Sequence, residues 1–220
     1  MPLPLRIAVL AVVFPLLVGL VHFSAAGTVN LPAVWAILAA LALLFPTMAL
    51  LVGPSLMRER LAPGPGNQDR FTPAVTMALF FIQWVLAGLD VGRLHLSPLP
   101  ESVRWAGVGL YVLCLALILW AVRSNPFYSS AVRIQTDRGH HLVTAGPYRI
   151  VRHPGYTGSI LGMIAGSLAF GSGIGMAPAV LAAVLFIRRT ALEDRMLRDQ
   201  LPGYADYAHR TRYRLLPGIY

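Results

Sequence analysis

The chain alternates between long apolar runs and short segments rich in arginine, proline and glycine. A bilayer core of roughly 30 Å needs about 20 apolar residues of helix, because backbone polar groups in hydrocarbon must be hydrogen-bonded within their own segment. Four runs meet this requirement, at about Leu5–Ala26, Leu31–Met57, Thr72–Asp90 and Ser102–Val122. The pattern predicts four transmembrane helices within residues 1–122, the first of them retained and not removed as a signal peptide.

A fifth apolar region, residues 158–187, is interrupted by Gly171-Ser172-Gly173-Ile174-Gly175 and then by Pro178, which leaves two arms of about 13 residues. Each arm alone is short for a span. The pattern therefore favours a helical hairpin that enters and leaves on the same side, and a single broken span is the alternative. Residues 123–220 are predicted to add a loop, this hairpin and a C-terminal interfacial helix to the same single domain.

Apolar residues make up 56% of the chain and charged residues 12%, far from the balance of a soluble domain. All 18 basic residues are arginines, and they lie between the apolar runs, so the net charge of +9 indicates a lipid bilayer and not a nucleic acid as partner. With a cytoplasmic N-terminus and a hairpin, 16 arginines are inside and two, Arg93 and Arg104, are outside. We expect a multi-pass protein of a bacterial inner membrane with both termini cytoplasmic. The oligomeric state is left open.

Polar chemistry is concentrated in residues 123–156 and 188–220, so a site is expected at the cytoplasmic interface. His153 precedes Pro154, which suits the first turn of a helix, so the free N–H groups of that helix start lie near His153 and favour an anion. Tyr148 and Tyr156 offer aromatic faces against which a cationic sulfonium could rest. These features predict a small-molecule site beside the start of the hairpin.

The second polar segment follows the hairpin. Arg189 and Glu193 are four residues apart and project from one face of a predicted helix, where they could hold opposite ends of a zwitterion or form a simple salt bridge. Two further pairs, Asp194 with Arg198 and Arg195 with Asp199, are expected to be solvated i,i+4 pairs. Tyr204 and Tyr207 suit either interfacial anchors or ligands.

As a set, Gly146-Pro147-Tyr148-x3-Arg152-His153-Pro154-x-Tyr156-x-Gly158, the hairpin, Arg189-x3-Glu193-Asp194 and Tyr204-x2-Tyr207 resemble the isoprenylcysteine carboxyl methyltransferase and phospholipid methyltransferase superfamily. The resemblance covers roughly residues 125–217. It implies an all-α integral membrane protein with S-adenosylmethionine as cofactor, and it links Arg189 to the methyl acceptor. The cofactor-binding positions that it implies are Gln135, His140, His141, Leu142, Val143, Tyr148, His153, Pro154, Gly155, Tyr156 and Glu193.

The expected activity is methyl transfer to a lipophilic or prenylated acceptor. A carboxylate acceptor is favoured, because it is ionised at neutral pH, whereas an amine must lose a proton and Glu193 is the one candidate base. The alternatives are a phospholipid amine N-methyltransferase, a membrane reductase using NADPH and a non-catalytic lipid-binding protein. No metal site is predicted, since no acidic or cysteine partner has metal-ligand spacing to His140, His141 and His153.

Overall fold

The computed structural model describes residues 2–220. Within this range there are eight α-helices, and none of the described residues forms a β-strand. The helices are α1 (Leu3–Ala26), α2 (Pro32–Leu51), α3 (Pro54–Leu61), α4 (Phe71–Leu89), α5 (Glu101–Ser124), α6 (Pro154–Phe170), α7 (Met176–Gln200) and α8 (Tyr204–Arg210).

Four helices are long and apolar enough to cross a bilayer: α1, α2, α4 with the π-helical turn Asp90–Leu94 that continues it, and α5. Large apolar side chains remain exposed along them, such as Leu16 at 66% and Leu50 at 88%, as expected where a helix faces lipid. The predicted all-α membrane class with four spans is confirmed. The second predicted span is shorter than expected, because the chain is extended at Val52 and Gly53 and α3 begins at Pro54 as a separate short helix.

The hairpin consists of α6 and α7, joined by a turn in which Gly171 has a φ of 79°. The turn reaches the far end of α4, where Ser172 Oγ donates to Asp90 Oδ2 at 2.6 Å and the Gly173 N–H donates to the Ser97 carbonyl at 3.0 Å. At the other end, Tyr156 on α6 donates a hydrogen bond to Glu193 on α7. The hairpin therefore returns to its starting side, as expected. Its helices have 17 and 25 residues and exceed the predicted 13-residue arms, because the helix continues past both apolar boundaries.

The bundle end that carries α3, the loop 125–153 and the C-terminal end of α7 is called the site end. Inside the bundle, Trp84 and Phe170 pack with their ring centroids 4.6 Å apart, and His22 lies 5.1 Å from Phe170. His22 is fully buried and its Nδ1 is 2.9 Å from the Trp84 carbonyl. This aromatic group closes the bundle away from the site end and leaves room nearer to it.

Candidate functional site

The loop 125–153 is fixed to the bundle by one buried arginine. Arg133 bonds Glu59 of α3 at 2.9 Å and Asp137 at 2.8 Å, and its side chain is 4% exposed. Burial favours a raised pKa for Glu59, but the hydrogen bond from Arg133 outweighs it and lowers that pKa. The Asn67 Oδ1 accepts from the Val132 N–H at 3.1 Å in the same region. These contacts hold the loop under the helices, with its polar side chains facing α6 and α7.

A cleft opens between this loop, the start of α6, the end of α7 and α8. It is called the interfacial cleft. Ten of the eleven predicted cofactor positions line it: Gln135, His140, His141, Leu142, Val143, Tyr148, His153, Gly155, Tyr156 and Glu193. Pro154 is the exception, since it is buried in the first turn of α6 and does not line the cleft. Residues separated by a long stretch of chain thus meet at one place.

The polar groups of Gln135 are engaged by the loop itself. Its Nε2 donates to the Phe127 carbonyl at 2.6 Å, and its Oε1 accepts from Arg138. The His140 ring lies 4.5 Å from the Phe127 ring, and its Nδ1 accepts from the Gln135 N–H at 3.2 Å. Burial, with the neighbouring charges of His141, Arg133 and Arg138, lowers the pKa of His140 to about 4. At neutral pH, therefore, the cleft presents a neutral imidazole here and little of the Gln135 amide.

Three side chains form a hydrogen-bonded chain at the hairpin base. Arg189 Nε donates to the Tyr156 hydroxyl at 2.8 Å, and that hydroxyl donates to Glu193 Oε2. The His153 ring stacks on Tyr156 at a centroid distance of 5.8 Å and an interplanar angle of 14°. Glu193 and Arg189 thus lie on one face of α7, as predicted, and Tyr156 connects them.

The Arg189 guanidinium, which the resemblance links to the methyl acceptor, is bonded by protein groups. Its Nη2 donates to the Ser130 carbonyl at 2.7 Å, and its Nη1 contacts the Asp69 carbonyl at 3.3 Å and carboxylate at 3.4 Å. With Tyr156 on Nε, every nitrogen already has a protein partner, and the residue is 3% exposed. The reason is the loop before α4, which brings Asp69 close although it is 120 positions away. Sequence spacing contained no sign of this contact.

A second cavity, of about 420 Å³, lies between α1, α2, α4, α5, α6 and α7 at membrane depth. It is called the bundle cavity. Its walls are mainly apolar and aromatic, including Phe80, Trp84 and Phe170. Arg189 lines this cavity and not the interfacial cleft. Tyr128, Ser129 and Tyr156 line both spaces, so the two adjoin at these residues.

Gly155 is required where Tyr128 crosses the start of α6. A Cβ built on Gly155 would lie 2.0 Å from the Tyr128 hydroxyl oxygen and 2.6 Å from Cζ, closer than any real contact. The glycine therefore leaves the room that Tyr128 needs to lie between the two spaces. Its place in the motif is explained by this close approach.

Sequence reasoning missed Asp194, which was expected to be a solvated partner of Arg198. The Arg198 contact exists at 3.1 Å, but the Asp194 side chain is 1% exposed. Its oxygens also accept from Arg152 at 2.7 Å, from Arg214 at 3.1 Å and from the Tyr204 hydroxyl at 2.9 Å. The available signal was its position one helical turn after Thr190, on the buried face of α7.

The charge of Asp194 is strongly stabilised. Burial favours a raised pKa, but hydrogen bonds and charges from His153 and Arg152 outweigh it and hold the pKa far below the usual range. Tyr204 and Tyr207 are also buried and line the interfacial cleft, so they do not behave as exposed anchors. Tyr207 donates to the Tyr148 carbonyl at 2.7 Å, and burial raises its pKa to about 12.

The fold and the two spaces define a helical membrane protein with a polar interfacial cleft that adjoins an apolar cavity in its bundle. The chain belongs to the phospholipid methyltransferase family, which residues 103–202 match, and so to the isoprenylcysteine carboxyl methyltransferase-like superfamily. The resemblance read from the motifs is confirmed. Residues 2–102, which include α1 to α4, lie outside the matched segment.

Two curated relatives have similar sequences. The chain is 31% identical over 136 residues to the cobalt-zinc-cadmium resistance protein CzcN of Cupriavidus metallidurans, a match over 59% of this chain and 57% of that protein. It is 30% identical over 162 residues to the nickel-cobalt-cadmium resistance protein NccN of Alcaligenes xylosoxydans xylosoxydans, over 71% of each. Within residues 2–220, no three His, Cys, Asp or Glu side chains group as metal ligands.

Proposed function

We propose that this protein is a membrane methyltransferase that moves a methyl group from S-adenosylmethionine to a lipophilic carboxylate. The supporting observation is that the interfacial cleft and the bundle cavity share Tyr128, Ser129 and Tyr156. A polar cofactor and an apolar acceptor can therefore occupy separate spaces with their reactive ends adjacent. Such positioning is the main catalytic need of a direct displacement.

The residues of the interfacial cleft fit this cofactor. Among residues 2–220, Glu193 accepts one hydrogen bond, from Tyr156 to Oε2, so its other oxygen is available to an ammonium group. Tyr148, Tyr156 and Phe127 provide aromatic faces for a cationic sulfur and for an adenine ring. When bound, S-adenosylmethionine supplies an electrophilic methyl group. The protein residues bind it, orient it and exclude water from the junction.

A carboxylate acceptor suits the charges near the junction. It needs no base, and the bundle cavity contains no carboxylate among the described residues that line it. In this proposal Arg189 is a positioning residue, since its bonds to Tyr156, Ser130 and Asp69 fix the side chains around the junction. The site end is taken to face the cytoplasm, because 16 of the 18 arginines belong to it.

The test is calorimetry with purified protein in neutral detergent, using S-adenosylmethionine, S-adenosylhomocysteine and NADPH. Both adenosyl ligands should bind. Glu193→Gln should weaken the binding of S-adenosylmethionine by about 1.5–3 kcal/mol, the range for a hydrogen bond to a charged group. Glu101→Gln is the matched control, since Glu101 is exposed at the opposite end of the bundle. NADPH binding without adenosyl binding would refute the proposal and support the reductase alternative.

Methyl transfer is then measured with radiolabelled cofactor and a membrane lipid extract. Label that is released by mild alkali indicates a methyl ester, and label that resists alkali indicates a methylated amine. The second result would refute the carboxylate part of the proposal and leave the methyltransferase part intact.

A further inference from the structure

The bundle cavity has only two charged residues in its described lining, and both are arginines: Arg189 and Arg60. They differ in what they contact. The Arg189 guanidinium is engaged through all three nitrogens by protein groups and is 3% exposed. It supplies positive charge near the junction, but its bonds leave no pair of parallel donors for a ligand.

Arg60 is placed differently. It lies on α3, and among residues 2–220 no carboxylate oxygen lies within 4.0 Å of its guanidinium. The guanidinium carbon is 4.7 Å from the centroid of the Tyr128 ring, and Tyr128 lines both spaces. The neighbouring acid, Glu59, is bonded by Arg133, so it does not neutralise Arg60.

We propose that Arg60 is the specificity-determining residue that binds the carboxylate of the methyl acceptor at the mouth of the bundle cavity. This inference rests on the proposed function and adds the residue that selects the acceptor. A planar guanidinium that no carboxylate of residues 2–220 engages can hold an acceptor carboxylate through two parallel hydrogen bonds. Stacking on Tyr128 limits the orientations of the fork, so less freedom is lost when an anion binds.

Arg60 lies outside residues 103–202, the segment matched by the family. The interfacial cleft is built largely from the matched segment, whereas α3 lies outside it. Selection of the acceptor by Arg60 thus places specificity on a separate element from cofactor binding. The acceptor class is a long-chain carboxylic acid, whose chain fits the apolar walls and whose head meets the arginine.

The experiment measures acceptor binding without cofactor. The protein is titrated in neutral detergent with dibromostearic acid after the exposed Trp35, Trp105 and Trp120 are replaced by phenylalanine, so that quenching reports on Trp84 in the cavity wall. The quencher is displaced with hexadecanoic acid, hexadecanol or hexadecylamine. Hexadecanoic acid should displace best and hexadecylamine worst. Equal displacement by the acid and the amine would overturn the inference.

The variants locate the effect. Arg60→Ala should weaken the binding of hexadecanoic acid by about tenfold or more, which is the loss expected for a charge-assisted hydrogen bond. The affinity for hexadecanol should not change. Arg60→Lys should recover part of the affinity, and Arg60→Glu should favour hexadecylamine. Arg58→Ala is the matched control, because Arg58 is exposed on the same short helix. Unchanged acid affinity in Arg60→Ala would also overturn the inference.

Failure here can be told apart from failure of the proposed function. Each variant is first checked by its unfolding temperature and by its affinity for S-adenosylmethionine, both of which should match wild type. A wild-type protein that binds the cofactor and transfers methyl groups, with an Arg60→Ala variant that binds acid normally, refutes the role of Arg60 alone. Absence of cofactor binding in the wild type refutes the proposed function while the fluorescence result stands.

Discussion

Replacement of Asp194 by asparagine should be among the most destabilising conservative changes in this chain. The carboxylate is 1% exposed and accepts from three arginines and a tyrosine that belong to different segments. Asparagine keeps one acceptor oxygen but removes the charge, which leaves the Arg152 guanidinium, 2% exposed, with hydrogen bonds to the Thr211 and Arg212 carbonyls but without its ionic partner. Breaking a buried ion pair by removing one partner costs about 3–5 kcal/mol, and the retained oxygen favours the lower value.

The assay is thermal unfolding in detergent, followed by circular dichroism. For a chain of this size, about 3 kcal/mol corresponds to a fall of roughly 6–12 °C in the unfolding temperature. Asp199→Asn is the control, since Asp199 is exposed one turn further along α7, and it should change the temperature by less than about 2 °C. An Asp194→Asn variant with the same unfolding temperature as the Asp199→Asn control would show that the four contacts of Asp194 contribute little to stability.

The same variant tests the direction of the pKa shift. The pKa of Asp194 is held below its ordinary value, so its ionised form contributes stability above about pH 4, the ordinary range of an aspartate. That contribution is lost as the pH falls from there towards the depressed native pKa. The difference between wild type and variant should therefore be full at pH 7 and shrink below about pH 4.

Two further predictions concern the site and the orientation of the chain. Arg189→Lys should keep most S-adenosylmethionine affinity but reduce turnover by about a hundredfold, because an ammonium lacks the planar fork whose three nitrogens reach Tyr156, Asp69 and Ser130. Arg188→Lys should be nearly silent, since Arg188 is 53% exposed. Calorimetry and single-turnover rates check this, and normal turnover in Arg189→Lys would contradict it. Reporter fusions after Arg70 and after Tyr220 should both give cytoplasmic signals. An external signal at Tyr220 would show that the site end does not face the cytoplasm.

The spans and the hairpin could be predicted because their causes are local. Apolar runs of bilayer length and the Gly171–Gly175 break are properties of neighbouring residues, and the helices of the structure follow them closely. The break after Leu51 was missed because Gly53 and Pro54 lie within an apolar run, where proline is also tolerated inside a membrane helix, as Pro15 and Pro46 are here.

The residues that line the interfacial cleft could be predicted from motifs, but their hydrogen-bond and ion-pair partners could not. The spacing of Arg189 and Glu193 placed both on one helical face, which the structure has. The partners of Arg189 come from Asp69 and Ser130, at 120 and 59 positions' separation, and Asp194 gathers residues from three segments. Such contacts depend on how loops pack across the bundle end, and no periodicity encodes them.

The hydrogen-bonded chain from Arg189 through Tyr156 to Glu193 joins the two spaces. Arg189 lines the bundle cavity, Glu193 lines the interfacial cleft, and the Tyr156 hydroxyl lies between them. A hydroxyl that accepts from a guanidinium becomes a better donor to a carboxylate, because hydrogen bonds in series polarise one another. The pose of the proposed cofactor's ammonium end at Glu193 is therefore coupled to the wall of the acceptor cavity. In the proposed reaction this linkage aligns two ligands that enter from different phases, one from water and one from lipid.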